Sequence, residues 1–107
     1  MIKLLISSAI LAAMWQSAAA DGARTALRTC IKSASTEVKG KKMAEDAFTA
    51  FVHSKCTTQE SGFKSAMWSF DSKNKVSRKQ SESDAQLQID DLVTVAAEYY
   101  AMEETPQ

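Results

Sequence analysis

The stretch CIKSASTEVKGKKMAEDAFTAFVHSKC, residues 30–56, has a cysteine at each end and one glycine, Gly40, near its middle. Gly40 predicts the end of a helix, because glycine adopts the left-handed conformation at helix C termini with little steric penalty. Apolar residues recur at three- and four-residue spacing on both sides of it, which is typical of amphipathic helices. The stretch therefore predicts a helical hairpin that turns near Gly40.

The two cysteines of this stretch, Cys30 and Cys56, are the only cysteines of the chain. Their sequence midpoint is Met43, so in an antiparallel hairpin they come level about 15–20 Å from the turn, at ~1.5 Å per residue. A reactive thiol pair or a metal site would need closer spacing or additional ligands. We expect an intramolecular disulfide that closes the open end of the hairpin.

The rest of the chain is also helical in character, with 3 glycines and 1 proline among 107 residues and no alternating pattern that would predict a strand. Periodicity predicts helices over about 23–38, 43–56, 58–71 and 82–102. Asp21 is a plausible N-cap of the first. Thr57 and Glu60 match a capping box, which favours a break between the second and third helices, although one continuous helix over 43–71 stays open. The predicted fold is all-α, a small three- to four-helix bundle with a disulfide-stapled hairpin.

The last helix should start at Ser81 or Ser83, since acidic residues suit a first helical turn, whereas Arg78 and Lys79 do not. Residues 71–80 before it are polar and basic and are predicted to be a linker. A heptad-like pattern gives its buried seam, which Val93 and Tyr100 widen. The seam residues are Ala85, Ile89, Leu92, Ala96 and Tyr99.

The N-terminal segment has the three parts of a secretory signal: Lys3, an apolar stretch over residues 4–15, and a tail of small residues. Ala18 and Ala20 satisfy the Ala-x-Ala preference of signal peptidase, which predicts Asp21 as the new N terminus. The apolar stretch is shorter than the ~20 residues that span a membrane. We expect residues 1–20 to be a cleaved signal peptide and residues 21–107 to be one helical domain, periplasmic or secreted and not membrane-spanning after cleavage.

Charge is divided sharply along the chain: residues 24–79 contain 12 basic and 5 acidic residues, and residues 80–107 contain 7 acidic and no basic residues. The simplest interpretation is that the acidic last helix lies beside the basic hairpin of the same molecule. Self-association, with the acidic helix of one copy on the basic hairpin of another, is an alternative. A third is attraction to an external anionic surface.

Few residues stand out as candidates for a functional site. Lys73, Lys75, Arg78 and Lys79 form a basic cluster that is a candidate for binding anions, and Trp68 is either packed under the last helix or an exposed contact residue. The single histidine, His53, is expected to face solvent. No catalytic motif, metal-ligand spacing or cofactor motif is present, so we expect no enzyme activity, metal or cofactor. A near-neutral mature charge argues against nucleic acid as a partner.

Several short segments resemble small, uncharacterised exported helical proteins of Gram-negative bacteria. They are Leu27-Arg28-Thr29-Cys30, Ala47-Phe48-Thr49-Ala50-Phe51-Val52, Lys55-Cys56, Gly62-Phe63-Lys64-Ser65-Ala66 and Ile89-Asp90-Asp91. The resemblance covers most of the mature chain and implies helical packing, but no activity. In size, compartment and single disulfide the chain is also similar, by analogy only, to periplasmic acid-stress chaperones of the HdeA type.

These observations predict a non-enzymatic exported binding or envelope-stress protein that contacts another protein or an anionic envelope component, with a homo-oligomer possible. One alternative is an acid-activated periplasmic chaperone, in which protonation of the carboxylates after residue 80 below about pH 4 loosens the last helix. A small-molecule carrier is the other alternative.

Overall fold

The computed structural model describes the backbone of residues 2–104 and the side chains of residues 18–104. This part of the chain forms four helices and no strand. They are α1 (Ile2–Glu37), α2 (Glu45–Lys55), α3 (Thr57–Lys73) and α4 (Arg78–Glu104). The prediction of an all-α bundle is confirmed.

The hairpin of α1 and α2 turns where the sequence predicts. Gly40 adopts a φ of 85°, and the amide of Lys41 donates to the Val38 carbonyl at 3.1 Å. At the open end Cys30 and Cys56 form a disulfide with their Cα atoms 5.8 Å apart. The predicted stapled hairpin is therefore present, and the disulfide also ties α1 to the beginning of α3.

Residues 43–71 contain two helices and not one, and a single residue, Cys56, separates them. Cys56 leaves helical geometry with φ −107° and ψ 19°, yet its carbonyl still accepts from the Glu60 amide at 2.8 Å. The predicted capping box is wrong, because the Thr57 hydroxyl donates back to the His53 carbonyl at 2.9 Å and no side chain caps the start of α3. The joint is thus a bend between two helices whose backbone bonding continues.

The core is a single cluster with contributions from all four helices. Its fully buried large side chains include Leu27 from α1, Phe48 and Val52 from α2, Phe63 from α3 and Ile89 from α4. These residues lie on the faces that the three- and four-residue periodicity indicates. Burial of such side chains is the main favourable contribution to folding.

The buried seam of α4 differs from the predicted heptad in its second half. It runs through Ala85, Ile89, Val93, Ala97 and Tyr100. Leu92 and Ala96 are only half-buried, and Tyr99 is exposed. The buried residues keep a four-residue spacing up to Ala97 and then take a three-residue step to Tyr100. Such a spacing suits ridge-into-groove packing, whereas a strict heptad seam requires the helices to supercoil.

Tyr100 fastens the C-terminal part of α4 to the hairpin turn. Its ring stacks on Phe48 with centroids 4.4 Å apart and planes at 15°. Its hydroxyl donates to the Val38 carbonyl and accepts from the Met43 amide, each at 3.0 Å. Close by, the amide of Gly40 donates to the Glu104 carboxylate. The hydroxyl of Tyr100 is thus buried between α4 and the turn.

Two helix starts differ from the sequence-based prediction. α1 begins far before residue 23, because the alanine- and leucine-rich leader consists of strong helix formers and nothing between it and residue 23 ends the helix. Ala18, Ala20 and Asp21 therefore lie within α1, and Asp21 is not an N-cap but pairs with Arg24 at 2.7 Å. Cleavage after Ala20 stays a prediction.

The second difference concerns α4, which begins at Arg78 and not at Ser81 or Ser83. The linker predicted over residues 71–80 is consequently only the four residues 74–77. No helix in the described part of the chain is both long and apolar enough to cross a membrane.

Candidate functional site

The turn between α3 and α4 holds the basic cluster in a defined backbone conformation. At the end of α3, the amides of Asn74 and Val76 both donate to the Asp71 carbonyl, at 3.0 and 3.1 Å. The bond from Val76 spans six residues, as in a Schellman motif, in which glycine usually occupies the left-handed position. Here that position is Lys75, with a φ of 62°. A lysine replaces glycine at some cost in backbone energy, and its side chain adds a positive charge to the turn.

The start of α4 concentrates further positive charge. Ser77 caps the helix, its hydroxyl oxygen accepting from the Gln80 amide at 3.1 Å. Arg78 and Lys79 therefore fall in the first turn, where the helix dipole already presents partial positive charge. Cations are unfavourable at this end of a helix and anions are favoured. Arg78 and Lys79, which argued in the sequence for a later helix start, thus make the start of α4 electropositive.

Arg78 and Trp68 form one wall of a cleft between α3 and α4. The guanidinium carbon of Arg78 lies 5.5 Å from the centroid of the Trp68 ring, within the range of a cation–π contact. The Nε of Arg78 also lies 3.4 Å from the Glu82 carboxylate, and both side chains are largely exposed. The cleft has a volume of about 210 Å³ and we call it the basic cleft. It is lined by Lys64, Ser65, Trp68, Ser69, Arg78 and Glu82.

Two of the sequence-predicted site residues are brought together here, and three are not. Trp68 is half-buried, so it is partly packed against α4 and partly open to the cleft. Lys73, Lys75 and Lys79 are exposed and do not line the cleft. None of these three lysine side chains makes a hydrogen bond or ion pair within the described residues. Their charges remain available to a ligand.

The same joint contains two buried polar atoms that lack a hydrogen-bond partner among the described residues. They are Oδ2 of Asp71 and Oγ of Ser81, one on each helix that flanks the turn. Such atoms are rare in folded proteins because an unpaired buried polar group is costly. The packing at this joint is therefore less favourable than that of the apolar core.

His53 is not simply facing solvent, which corrects the sequence-based expectation. Its Nδ1 lies 2.9 Å from Oε2 of Glu60, across the bend at Cys56, and both side chains are partly buried. The pattern that could have revealed this pair is their seven-residue spacing, which places them on one face of two nearly continuous helices. The pair ties the end of α2 to the first turns of α3.

No group of three or more histidine, cysteine, aspartate or glutamate side chains within the described residues is arranged to hold a metal ion. The candidate site has a cation–π pair at its wall and exposed lysines beside it. Its chemistry suits an anionic group such as a phosphate or carboxylate, which guanidinium and ammonium groups bind through charge-assisted hydrogen bonds.

Comparison of the chain with protein-family models, with curated proteins and with solved structures found no match. The resemblance to small exported helical proteins of Gram-negative bacteria stays a prediction.

Proposed function

We propose that this chain is a non-enzymatic protein of the bacterial envelope, exported by its N-terminal signal, that binds an anionic envelope component through the basic cleft and the lysines beside it. The observation that carries the proposal is the Arg78 guanidinium over the Trp68 ring at the wall of an open cleft. The periplasm, or the exterior, is the compartment in which such a protein with a disulfide would act.

The charge at this end of the molecule supports binding of an anion. Residues 64–79 contain five basic residues and one acidic residue, and the acidic one, Asp71, is buried. Each lysine or arginine near an anionic membrane surface contributes on the order of 1 kcal/mol, with strong screening by salt. The exposed lysines thus add attraction over a distance. Arg78 pairs with Glu82 through its Nε, and its terminal N–H groups are left for direct hydrogen bonds to an anion.

Trp68 supports the same proposal in a different way. An indole ring beside cations suits an interface between water and an apolar phase, because its body is apolar and its N–H is polar. Its partial burial fixes the ring, so little side-chain entropy is lost on binding. An anionic lipid surface therefore fits the cleft, and carboxylates of the cell wall share the same charge chemistry.

Two measurements test this proposal. The exported protein is mixed with vesicles of phosphatidylglycerol and phosphatidylcholine, with vesicles of phosphatidylcholine alone, and with purified peptidoglycan. We expect salt-sensitive binding to the anionic vesicles or to peptidoglycan, and none to the neutral vesicles. Equal binding to neutral and anionic vesicles, or none to any of the three, would contradict the proposal.

The chain offers a matched control for the site itself. The triple variant Lys73→Gln/Lys75→Gln/Lys79→Gln should weaken binding on the order of tenfold or more. The variant Lys39→Gln/Lys41→Gln/Lys42→Gln removes the same charge from exposed lysines at the hairpin turn. That turn is held to the other end of α4, about 40 Å away at 1.5 Å per residue. An equal loss of binding affinity in both variants would show that binding depends on net charge alone and not on the basic cleft.

The two alternatives from the sequence stay predictions. The acid-activated chaperone requires contacts of α4 that depend on ionised carboxylates. Glu104 makes one, accepting from the Gly40 amide at the hairpin turn, but no ion pair within the described residues joins α4 to another helix. The carrier requires an enclosed cavity, and the described depressions are open. Neither alternative has a specific structural feature in its favour comparable to the cleft.

A further inference from the structure

A second surface, separate from the basic cleft, lies along α4. The large hydrophobic side chains that are exposed in the described part of the chain all belong to this helix. They are Leu87, Val95, Tyr99 and Met102, between 49% and 68% exposed. Four such residues on one helix form an apolar stripe that the fold itself does not cover.

The stripe borders a groove between α1 and α4. Two adjoining depressions, of about 320 and 210 Å³, share Arg28, Leu92 and Val95 and together run along the helix pair. Leu92 and Val95 provide an apolar floor, and Ile31 and Tyr99 extend it in the larger depression. We call this surface the α1–α4 face.

The two borders of the α1–α4 face have opposite charge. Arg28 and Lys32 lie on the α1 side, and Asp91 and Glu98 lie on the α4 side. All four are exposed, and none makes an ion pair with any described residue. The sequence had led us to expect pairing of the basic and acidic parts within one molecule, yet these charges remain unpaired.

We propose that a second copy of this chain docks on the α1–α4 face to form a symmetric dimer. A two-fold axis along the groove places the basic border of each copy against the acidic border of the other. The apolar stripes then meet in the centre, where water is excluded. A two-fold axis across the groove would place like charges together, so the charge pattern selects the first arrangement.

A second copy fits this face better than an unrelated partner does. An anionic partner would meet Asp91 and Glu98, and a cationic partner would meet Arg28 and Lys32, whereas a copy of the same face satisfies both borders. From Leu87 to Met102 the helix pair presents about 24 by 20 Å, or ~500 Å² per copy. The total of ~1,000 Å² is at the lower limit for a specific interface.

Charge reversal gives a sharp test. The variants Arg28→Glu/Lys32→Glu and Asp91→Lys/Glu98→Lys each place like charges across the interface, so each alone should be monomeric. Mixed in equal amounts they should form a heterodimer, because each reversed border then meets its complement. Sedimentation velocity and light scattering measure the mass, and circular dichroism verifies that the exposed substitutions leave the helices intact.

The wild-type protein is purified after export and measured over roughly three decades of concentration, up to the millimolar range. Its average mass should rise with concentration toward twice the monomer mass. The variant Lys39→Glu/Lys41→Glu, with two reversed charges outside the face, should keep the dimer. A monomeric wild type, reversal variants that still dimerise alone, or a mixture without heterodimer would each overturn the proposal. Trp68 and Arg78 do not line this face. A variant that no longer dimerises can therefore still be tested for binding of anions at the basic cleft, so the two proposals are tested separately.

Discussion

The hydroxyl of Tyr100, near the end of α4, lies 3.0 Å from the carbonyl oxygen of Val38, the residue directly after α1. The same oxygen accepts from the Met43 amide, also at 3.0 Å. One side chain from the C-terminal helix therefore satisfies two backbone groups of a turn some sixty residues earlier in the chain. Without Tyr100 the Met43 amide would lose its partner, and the Val38 carbonyl would keep only the Lys41 amide.

Tyr100→Phe should lower the free energy of unfolding by about 1–3 kcal/mol, because it leaves the Met43 amide unpaired and removes one of the two donors to the Val38 carbonyl. Tyr99→Phe is the matched control, since Tyr99 is exposed and should change stability by less than about 0.5 kcal/mol. Urea unfolding followed by circular dichroism measures both. Equal effects at the two positions would contradict the described bonding.

Loss of the disulfide should destabilise the protein by about 3–4 kcal/mol, the value that the chain-entropy model gives for a closed loop of this length. The double variant Cys30→Ser/Cys56→Ser should match the reduced wild type and be insensitive to reductant. Mass spectrometry of non-reduced tryptic peptides should find the two cysteines joined within one chain. Free thiols, or a bridge between chains, would be incompatible with the hairpin.

Lys75→Gly should raise the free energy of unfolding by about 1 kcal/mol, because glycine adopts a positive φ without steric strain. Lys75→Gln removes the charge but keeps the strained backbone, so it should give no such gain. Both variants should weaken binding to anionic vesicles to a similar extent. A more stable glycine variant with undiminished binding would show that the Lys75 side chain takes no part in the site.

Ser81→Ala should stabilise the protein by up to about 1–2 kcal/mol, because it removes a buried hydroxyl without a partner. Ser83→Ala serves as control, since Ser83 is exposed on the same helix and reports only the difference in helix propensity, a few tenths of a kcal/mol. Thermal and urea unfolding should separate the two. A loss of stability in Ser81→Ala would mean that the hydroxyl is bonded in solution.

The hairpin was predictable from sequence because its determinants are local. Gly40 has the conformational freedom that the turn needs, and the positions of Cys30 and Cys56 relative to it follow from the rise of a helix. Both features depend on a few residues within one short stretch, and tertiary packing does not change them.

The start of α4 was predicted incorrectly, because two local effects on the stability of the helix start oppose each other. Ser77 and Gln80 match the serine–glutamine spacing of an N-cap, while Arg78 and Lys79 oppose the helix dipole. The capping hydrogen bond prevails over the charge term, which is weak where side chains are exposed. The proximity of Trp68 to Arg78 follows from this start and could not be inferred without it.

The seam of α4 and the His53–Glu60 pair depend on how the helices cross. A heptad seam and a four-residue spacing differ by one residue at the end of α4, and this difference decides whether Tyr99 or Tyr100 is buried. The periodicity of one helix does not fix the angle at which it crosses its neighbours. Similarly, the bend at Cys56 sets the relation between α2 and α3. These are tertiary effects that a single sequence constrains only weakly.

The disulfide also determines how the protein responds to mechanical force. A pull on the two ends of the chain passes from Cys30 directly to Cys56, so the residues between them, which include the turn and all of α2, carry no load. An extended chain spans at most 3.3–3.6 Å per residue, so the oxidised protein should lengthen by roughly 90 Å less than the reduced one. A domain tethered between two layers of an envelope would thus keep its hairpin while the remaining helices unravel.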